Sequence, residues 1–388
     1  MAAPVVAVVG GGQLARMMAP AATALGVRLR VLVEEPTSSA AQVVVDAPVG
    51  AASDAAAIER LTDGAAVLTF EHEHVPNALL ERLAHDGVPV RPGAHALVHA
   101  QDKAVMRRRL EALGLPCPRW SPVASADDVD RFLAQVGGEA VAKTTRGGYD
   151  GKGVRVVRSA ADVTDWLAAA AAGSGAPLIV EEKVPFTREL AVLVARRPGG
   201  EVRTWPVVES LQQDGVCAEV VAPAPGLDPR TEALAVDVAV RVAEGLDVVG
   251  VLAVEMFEVE RPGQAPGVLV NELAMRPHNS GHWTMDGAVT SQFEQHLRAV
   301  LDLPLGATDA RAPWTVMANV LGSTLEDPTD ALAAVTAADP AAKVHLYGKQ
   351  VRPGRKLGHV NVSGPDLEDV RRRARDAAAL LRGEQPAR

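Results

Sequence analysis

The sequence predicts a mixed chain, α/β at its start and α+β beyond, opening on a parallel sheet of the nucleotide-binding type. Three observations carry this. An apolar strand at 5–9 is closed by Gly10, Gly11 and Gly12 and followed by a helical pattern, and strand and helix then alternate. A second glycine-rich stretch, 147–153, lies between two short strands. Farther on, the apolar strands 251–259 and 267–273 each carry one glutamate, Glu255 and Glu272.

Taken in order, 13–25 reads as a helix, 28–33 as a second strand, 65–70 as a third and 88–91 as a fourth. Arg91-Pro92-Gly93 breaks the pattern and sets a boundary near Ala100. A helix is predicted at 101–113, stopped by Gly114 and Pro116. Strands follow at 140–143, 154–157, 178–182 and 191–195, then a proline-rich connection, a helix at 230–246, the two glutamate strands and a helix at 291–301. The division is 1–100, 101–300 with a glycine-rich lid near 116–183, and a closing part at 301–388 that ends in a basic helix near Arg371.

Composition excludes several classes. The net charge is −9, from 39 basic and 48 acidic residues, which argues against a nucleic-acid-binding protein. Cys117 and Cys217 are too few and too far apart for a disulfide framework or zinc cluster. The opening apolar run has no basic residues before it and reads as a buried strand, not a signal peptide. No run approaches the roughly 18 apolar residues of a membrane span. The expectation is a cytoplasmic enzyme that acts on small molecules.

Gly10-x-Gly12-x-x-Ala15 after a strand matches the dinucleotide fingerprint, with Glu34 near the acidic position. Alone it would suggest a nicotinamide-dependent oxidoreductase. A tight turn whose helix N-terminus holds some other phosphate explains it as well. The second glycine stretch is more specific. Gly147, Gly148, Gly151 and Gly153 free the backbone to approach a polyphosphate, and Lys143 and Lys152 supply charge. It is not the Walker sequence, and the plain alternative is a surface hairpin. Glu181-Glu182-Lys183-Val184 ends a strand that can offer backbone groups to an adenine edge, with Glu189 for ribose hydroxyls, although each acid alone would read as solvated.

Centring the late hairpin on Gly263-Gln264 brings Glu255 opposite Glu272. Carboxylates so placed stand about 5 Å apart and repel. Among Leu252, Val254, Leu269 and Val270 the arrangement makes sense around a divalent cation, with the Asn271 side chain as a further oxygen ligand. Solvated edge acids are the alternative.

A glycine-rich lid, an upstream lysine and a Glu/Asn-Glu pair in this order resemble the ATP-grasp superfamily. Gly10-Gly11-Gly12-Gln13-Leu14, Thr69-Phe70-Glu71-His72-Glu73, 147–153, Asn271-Glu272-Leu273-Ala274, 276–284 and 352–359 are, over nearly the whole chain, similar to the 5-(carboxyamino)imidazole ribonucleotide synthase family. The resemblance implies an ATP-grasp fold with an N-terminal Rossmann-like domain, usually as a homodimer. It implies Mg2+ (or Mn2+) and ATP, with bicarbonate joined to 5-aminoimidazole ribonucleotide through carboxyphosphate. ATP contacts carry over to Lys103, Lys143, Gly148, Tyr149, Asp150, Gly151, Lys152, Gly153, Val154, Glu181, Glu182, Lys183, Val184, Glu189, Gln212, Asn271 and Glu272. The metal falls to Glu255, Glu272 and Asn271, and the chemistry to Arg276, His278 and Asn279. The ribonucleotide falls to Gln13, Leu14, Glu73, Lys349, Arg352, Arg355 and Lys356. Gln212 stands where relatives often carry His, and His72 and His74 where they carry Phe and Asn; of the two acids there, only Glu73 is kept for the substrate. The runs 107–109 and 371–373 read as solvated basic surface. The nearest rival is another ATP-grasp ligase, such as formate-dependent glycinamide ribonucleotide transformylase.

Overall fold

The computed structural model describes residues 3–148, 153–260 and 266–385. β1 (Val5–Val9), β2 (Arg28–Leu32) and β3 (Val67–Phe70) form a parallel sheet in the order β2–β1–β3. Parallel neighbours need crossovers, and the helical stretches between these strands provide them. The expected strand at 88–91 reduces to one bridge between Val90 and Leu68. Pro89 and Pro92 flank it and have no amide hydrogen to extend a ladder. The expected helix at 101–113 is Lys103–Ala112, and a separate helix, Ala94–Gln101, precedes it. Asp102 separates them, its carboxylate accepting from the amides of Ala104 and Val105 at 3.0 and 3.1 Å as an N-cap.

β4 (Trp120–Val123), β5 (Ala140–Thr144), β6 (Val154–Val157) and β7 (Leu178–Glu182) make an antiparallel sheet in the order β4–β7–β5–β6. The amphipathic helix Ala126–Val136 covers it, burying Val129, Phe132 and Leu133 with Val180. A capping box at Ser125 and Asp128 starts that helix.

Among the described residues the largest sheet has nine strands. They are β8 (Phe186–Arg196), β9 (Val202–Thr204), β10 (Val208–Gln213), β11 (Val216–Ala222), β12 (Gly250–Val259), β13 (Gly267–Ala274), β14 (Trp314–Leu321), β15 (Lys343–Leu346) and β16 (Lys356–Gly364). Their order is β13–β12–β8–β10–β11–β14–β16–β15, with β9 against β8. The strands beyond residue 301 therefore continue the sheet that holds Glu255 and Glu272. Continuity matters for the site, because β16 begins at Lys356 and so carries its ammonium on the same framework as the glutamate pair.

Candidate active site

The three sheets contribute to one cleft of about 1590 Å³. Gln13, Leu14 and Glu73 reach it from the first, Lys143 and Val154 from the second, and Glu255 and Lys356 from the third. Lys103, Gly148, 181–184, Glu189, Gln212, 271–272, Arg276, 278–279, Lys349, Arg352 and Arg355 line it too. Gly153 is not among the lining residues; it turns at φ +70° against the Thr144 side chain. Tyr149, Asp150, Gly151 and Lys152 lie outside the described residues, as does the turn expected at Gly263-Gln264.

Glu255 and Glu272 are direct cross-strand partners. The pairing runs in step from Val259–Gly267 to Met256–Val270, and a bulge at Asn271 then shifts it. Bulges re-aim side chains. Here the consecutive residues Asn271 and Glu272 both line the cleft, which strict alternation would forbid. Lys103 Nζ meets Glu272 Oε1 at 2.6 Å. Burial, Glu272 and Glu189 together push the Glu255 carboxyl up to about 8. Among the described residues no group of three or more His, Cys, Asp or Glu side chains is arranged for a metal. Two glutamates and one amide side chain stand together here, and burial is the largest cause of the raised Glu255.

Lys143 Nζ lies 2.8 Å from Glu181 Oε2 and 3.2 Å from Asn271 Oδ1. Glu181 is buried and held down to about 2; burial opposes this, and Arg107 and Lys143 overcome it. Its carboxylate therefore faces inward to cations, leaving only the strand backbone for a ligand. Glu182 is engaged by Arg119 at 2.9 Å and Lys183 by Glu139 at 2.9 Å. Phe186 and Phe257 stack with ring centroids 4.7 Å apart on the cleft wall. Burial raises the Glu189 carboxyl, against a hydrogen bond from Gln212, which also donates to Ser210 Oγ at 3.0 Å.

The expectation of a solvated run at 107–109 fails at Arg107, which is 0% exposed. Its neighbours on the helix face, Ala104 and Leu110, are also buried. That spacing of three was the available signal, and the run of like charges obscured it. In the run 371–373, Arg372 stays exposed, but Arg371 and Arg373 fasten the last helix to Glu219 and Asp339 at 2.8 and 2.9 Å.

The first glycine turn also departs from expectation. The Glu71 carboxylate accepts from the amides of Gly12 and Ala15, the latter at 3.0 Å. A protein side chain thus occupies the helix N-terminus where one reading of the motif put a phosphate. A Cβ on Gly12 would collide with that carboxylate, and one on Gly10 with Glu71 and His72.

Arg276 Nε is held by Glu73 at 3.0 Å. The His278 backbone is clamped by Gln292, whose oxygen accepts from its amide and whose NH2 donates to its carbonyl, both at 2.8 Å. Burial and the charges of Arg276 and Lys356 lower His278 to about 3, so its imidazole is neutral. Lys349 donates to Gln13 Oε1 at 2.5 Å, and Arg352 and Arg355 bracket Gln350 at 3.1 and 3.2 Å. Cationic groups thus gather at the end of the cleft beside the first sheet. His282 and Cys217, which the sequence reading did not single out, line it as well.

Family models match three consecutive stretches: a ribonucleotide synthetase preATP-grasp domain over 3–101, an ATP-grasp domain over 108–293 and a phosphoribosylaminoimidazole carboxylase C-terminal domain over 315–373. An N5-carboxyaminoimidazole ribonucleotide synthase of Mycobacterium bovis is 54% identical over 98% of this chain and 88% of its own. The crystal structure of the Thermus thermophilus synthetase aligns with TM-score 0.85 at 38% identity, covering 99% of this chain and 100% of that one. A synthase of Aspergillus clavatus in complex with ADP and 5-aminoimidazole ribonucleotide aligns with TM-score 0.87 at 30% identity, over 98% and 99%. The cleft and its ordered motifs thus sit in a chain that belongs to the N5-carboxyaminoimidazole ribonucleotide synthase family of ATP-grasp ligases.

Proposed function

We propose that this chain joins bicarbonate to the amine of 5-aminoimidazole ribonucleotide at the expense of ATP, giving 5-(carboxyamino)imidazole ribonucleotide, ADP and phosphate in purine biosynthesis. The observation that carries the reading is the single cleft in which a carboxylate pair, Lys143 and the basic cluster at 349–356 come together. Bicarbonate is a poor electrophile, and phosphorylation to carboxyphosphate gives it a leaving group; the protein's work is positioning and charge neutralisation.

Lys103, Lys143 and the 147–153 backbone would take the polyphosphate, and 181–184 the base. Glu255, Glu272 and the Asn271 oxygen fit Mg2+ (or Mn2+), which when bound neutralises phosphate charge. Arg276 would hold the reacting anion, with neutral His278 and Asn279 as hydrogen-bonding partners. Gln13, Leu14, Glu73, Lys349, Arg352, Arg355 and Lys356 would hold the ribonucleotide, a charged cluster being suited to its 5′-phosphate. Residues 1–100, 101–300 and 301–388 act as the entry, ATP-grasp and closing parts. We also read the enzyme as a cytoplasmic homodimer, supported by the family resemblance.

ADP release should require 5-aminoimidazole ribonucleotide and be promoted by bicarbonate. Equal stimulation by formate with glycinamide ribonucleotide would replace this reading with the transformylase.

A further inference from the structure

The guanidinium of Arg107 touches neither solvent nor the open cleft, yet it closes a circuit of polar contacts around the phosphate-facing lysine. Its Nε donates to Glu181 Oε1 at 2.7 Å, Nη1 to Val270 O at 2.8 Å and Nη2 to Asn271 O at 2.8 Å. Glu181 Oε2 meets Lys143 Nζ at 2.8 Å, and Lys143 reaches back to Asn271 Oδ1 at 3.2 Å. Two of the three arms of Arg107 end on Glu181 and Asn271, which are proposed to face ATP or its metal, and the third on the carbonyl just before Asn271.

An apolar residue would be the ordinary choice between Ala104 and Leu110, because burying a guanidinium is costly unless its donors are met. Two consequences follow from having arginine there. First, Lys143 and Glu181 alone would form a neutral pair. Adding Arg107 leaves the circuit with two cations and one carboxylate, so Glu181 is satisfied and Lys143 keeps its positive field for an incoming anion. Second, the bulge at Asn271 disrupts the strand ladder where Asn271 and Glu272 must both face the cleft. Arg107 binds two consecutive carbonyls at that bulge, which a lysine's single ammonium cannot match in geometry.

We propose that Arg107 is a positioning residue for the nucleotide end of the site, acting through Glu181 on Lys143 and through the Asn271 bulge on the glutamate pair. The inference rests on the reading of this cleft as an ATP site.

The test uses the full chain and measures Mg–ATP binding by calorimetry without the second substrate, beside steady-state KM values. Arg107→Met should weaken ATP binding about tenfold or more, the scale of one charge-assisted contact. KM for 5-aminoimidazole ribonucleotide should stay nearly unchanged. Adding Glu181→Gln to Arg107→Met should recover much of the ATP affinity, because the unmatched carboxylate no longer neutralises Lys143. Arg107→Lys should fall between wild type and Arg107→Met. Wild-type ATP affinity in Arg107→Met, or an equal rise in both KM values, would overturn the proposal. Should Arg107→Met fail to fold, Arg107→Lys and the double variant carry the test, and ATP affinity equal to wild type in Arg107→Lys then overturns it. Failure of the unsubstituted chain to bind Mg–ATP would instead overturn the reading of the cleft.

Discussion

The glycine turn at 10–12 and the glycine loop at 147–153 present the same sequence signal, a backbone stripped of side chains so that something can approach. In the first the approaching group is the protein itself. Glu71 accepts from Gly12 and Ala15, and a Cβ on Gly12 would strike it. In the second, a Cβ added at Gly147 meets nothing within 4 Å. The first turn is filled, and the start of the second, at Gly147, is open. A glycine motif therefore reports that close approach is permitted, while long-range partners decide what approaches. The carboxylates follow the same division. Burial raises both carboxyls, but at Glu71 two amide donors oppose the rise, whereas at Glu255 the facing Glu272 adds to it and pushes the group up to about 8.

The largest effect should come from removing one charge at the open site. Glu272→Gln should cut ADP release by about 10²–10³-fold or more, because charge stabilisation at the phosphates is lost. Apo stability should change by no more than on the order of 0.5–1 kcal/mol, since relief of the cross-strand pair is offset by loss of the Lys103–Glu272 contact. Near-normal ADP release at ordinary magnesium would break the assignment. At the filled site the signs reverse. Gly12→Ala should cost about 2–3 kcal/mol in urea unfolding through overpacking against Glu71. A cost near zero would mean that Glu71 moves away freely and that the first turn is open after all.

How far the sequence could foresee this differs by feature. The facing of Glu255 and Glu272 was legible from hairpin symmetry, although by a different route. Near the turn the strands pair one residue tighter than the assumed centre, and the extra residue at Asn271 restores the opposition. The parallel opening sheet was legible because its strands are short apolar runs spaced by helices. The occupant of the first turn was not, since Glu71 lies 59 residues from Gly12 and no local pattern links them. Arg107 was misread because a run of three arginines looks solvated, which hid the spacing of three from Ala104 and Leu110 that marks the inward face.

A smaller effect separates the regions by pH. His296 is buried where the Rossmann-like domain meets β12, with Nε2 2.8 Å from Thr69 Oγ1 and Nδ1 accepting from Val251 N at 3.1 Å. Burial lowers it from 6.5 to about 3. The unfolded chain therefore takes up a proton below about 6.5 that the folded chain refuses. The stability from this group is full above that pH and is lost as pH falls toward 3. Between pH 6.5 and 5.5 roughly 1 kcal/mol is lost per such histidine, and His278 shifts the same way. His296→Gln should flatten the slope of unfolding free energy against pH in that window. An unchanged slope would mean that the His296 imidazole is reached by solvent.

The smallest effect is at Gly147, and it sharpens the comparison most directly. This residue holds φ +78°, a left-handed conformation that side chains rarely adopt, in open space. Alanine there should cost only the backbone term, about 1 kcal/mol in urea unfolding. Since no atom is struck, the size of the new side chain should hardly matter, so serine should behave as alanine does. Asparagine, which tolerates the left-handed region, should recover part of the loss. At Gly12, where φ is −83° and the obstacle is a carboxylate, the order is set by volume instead, and serine and asparagine should both be worse than alanine. If asparagine were as poor as a larger apolar residue at Gly147, the loop would be packed against something, and the contrast between a filled and an open turn would fail.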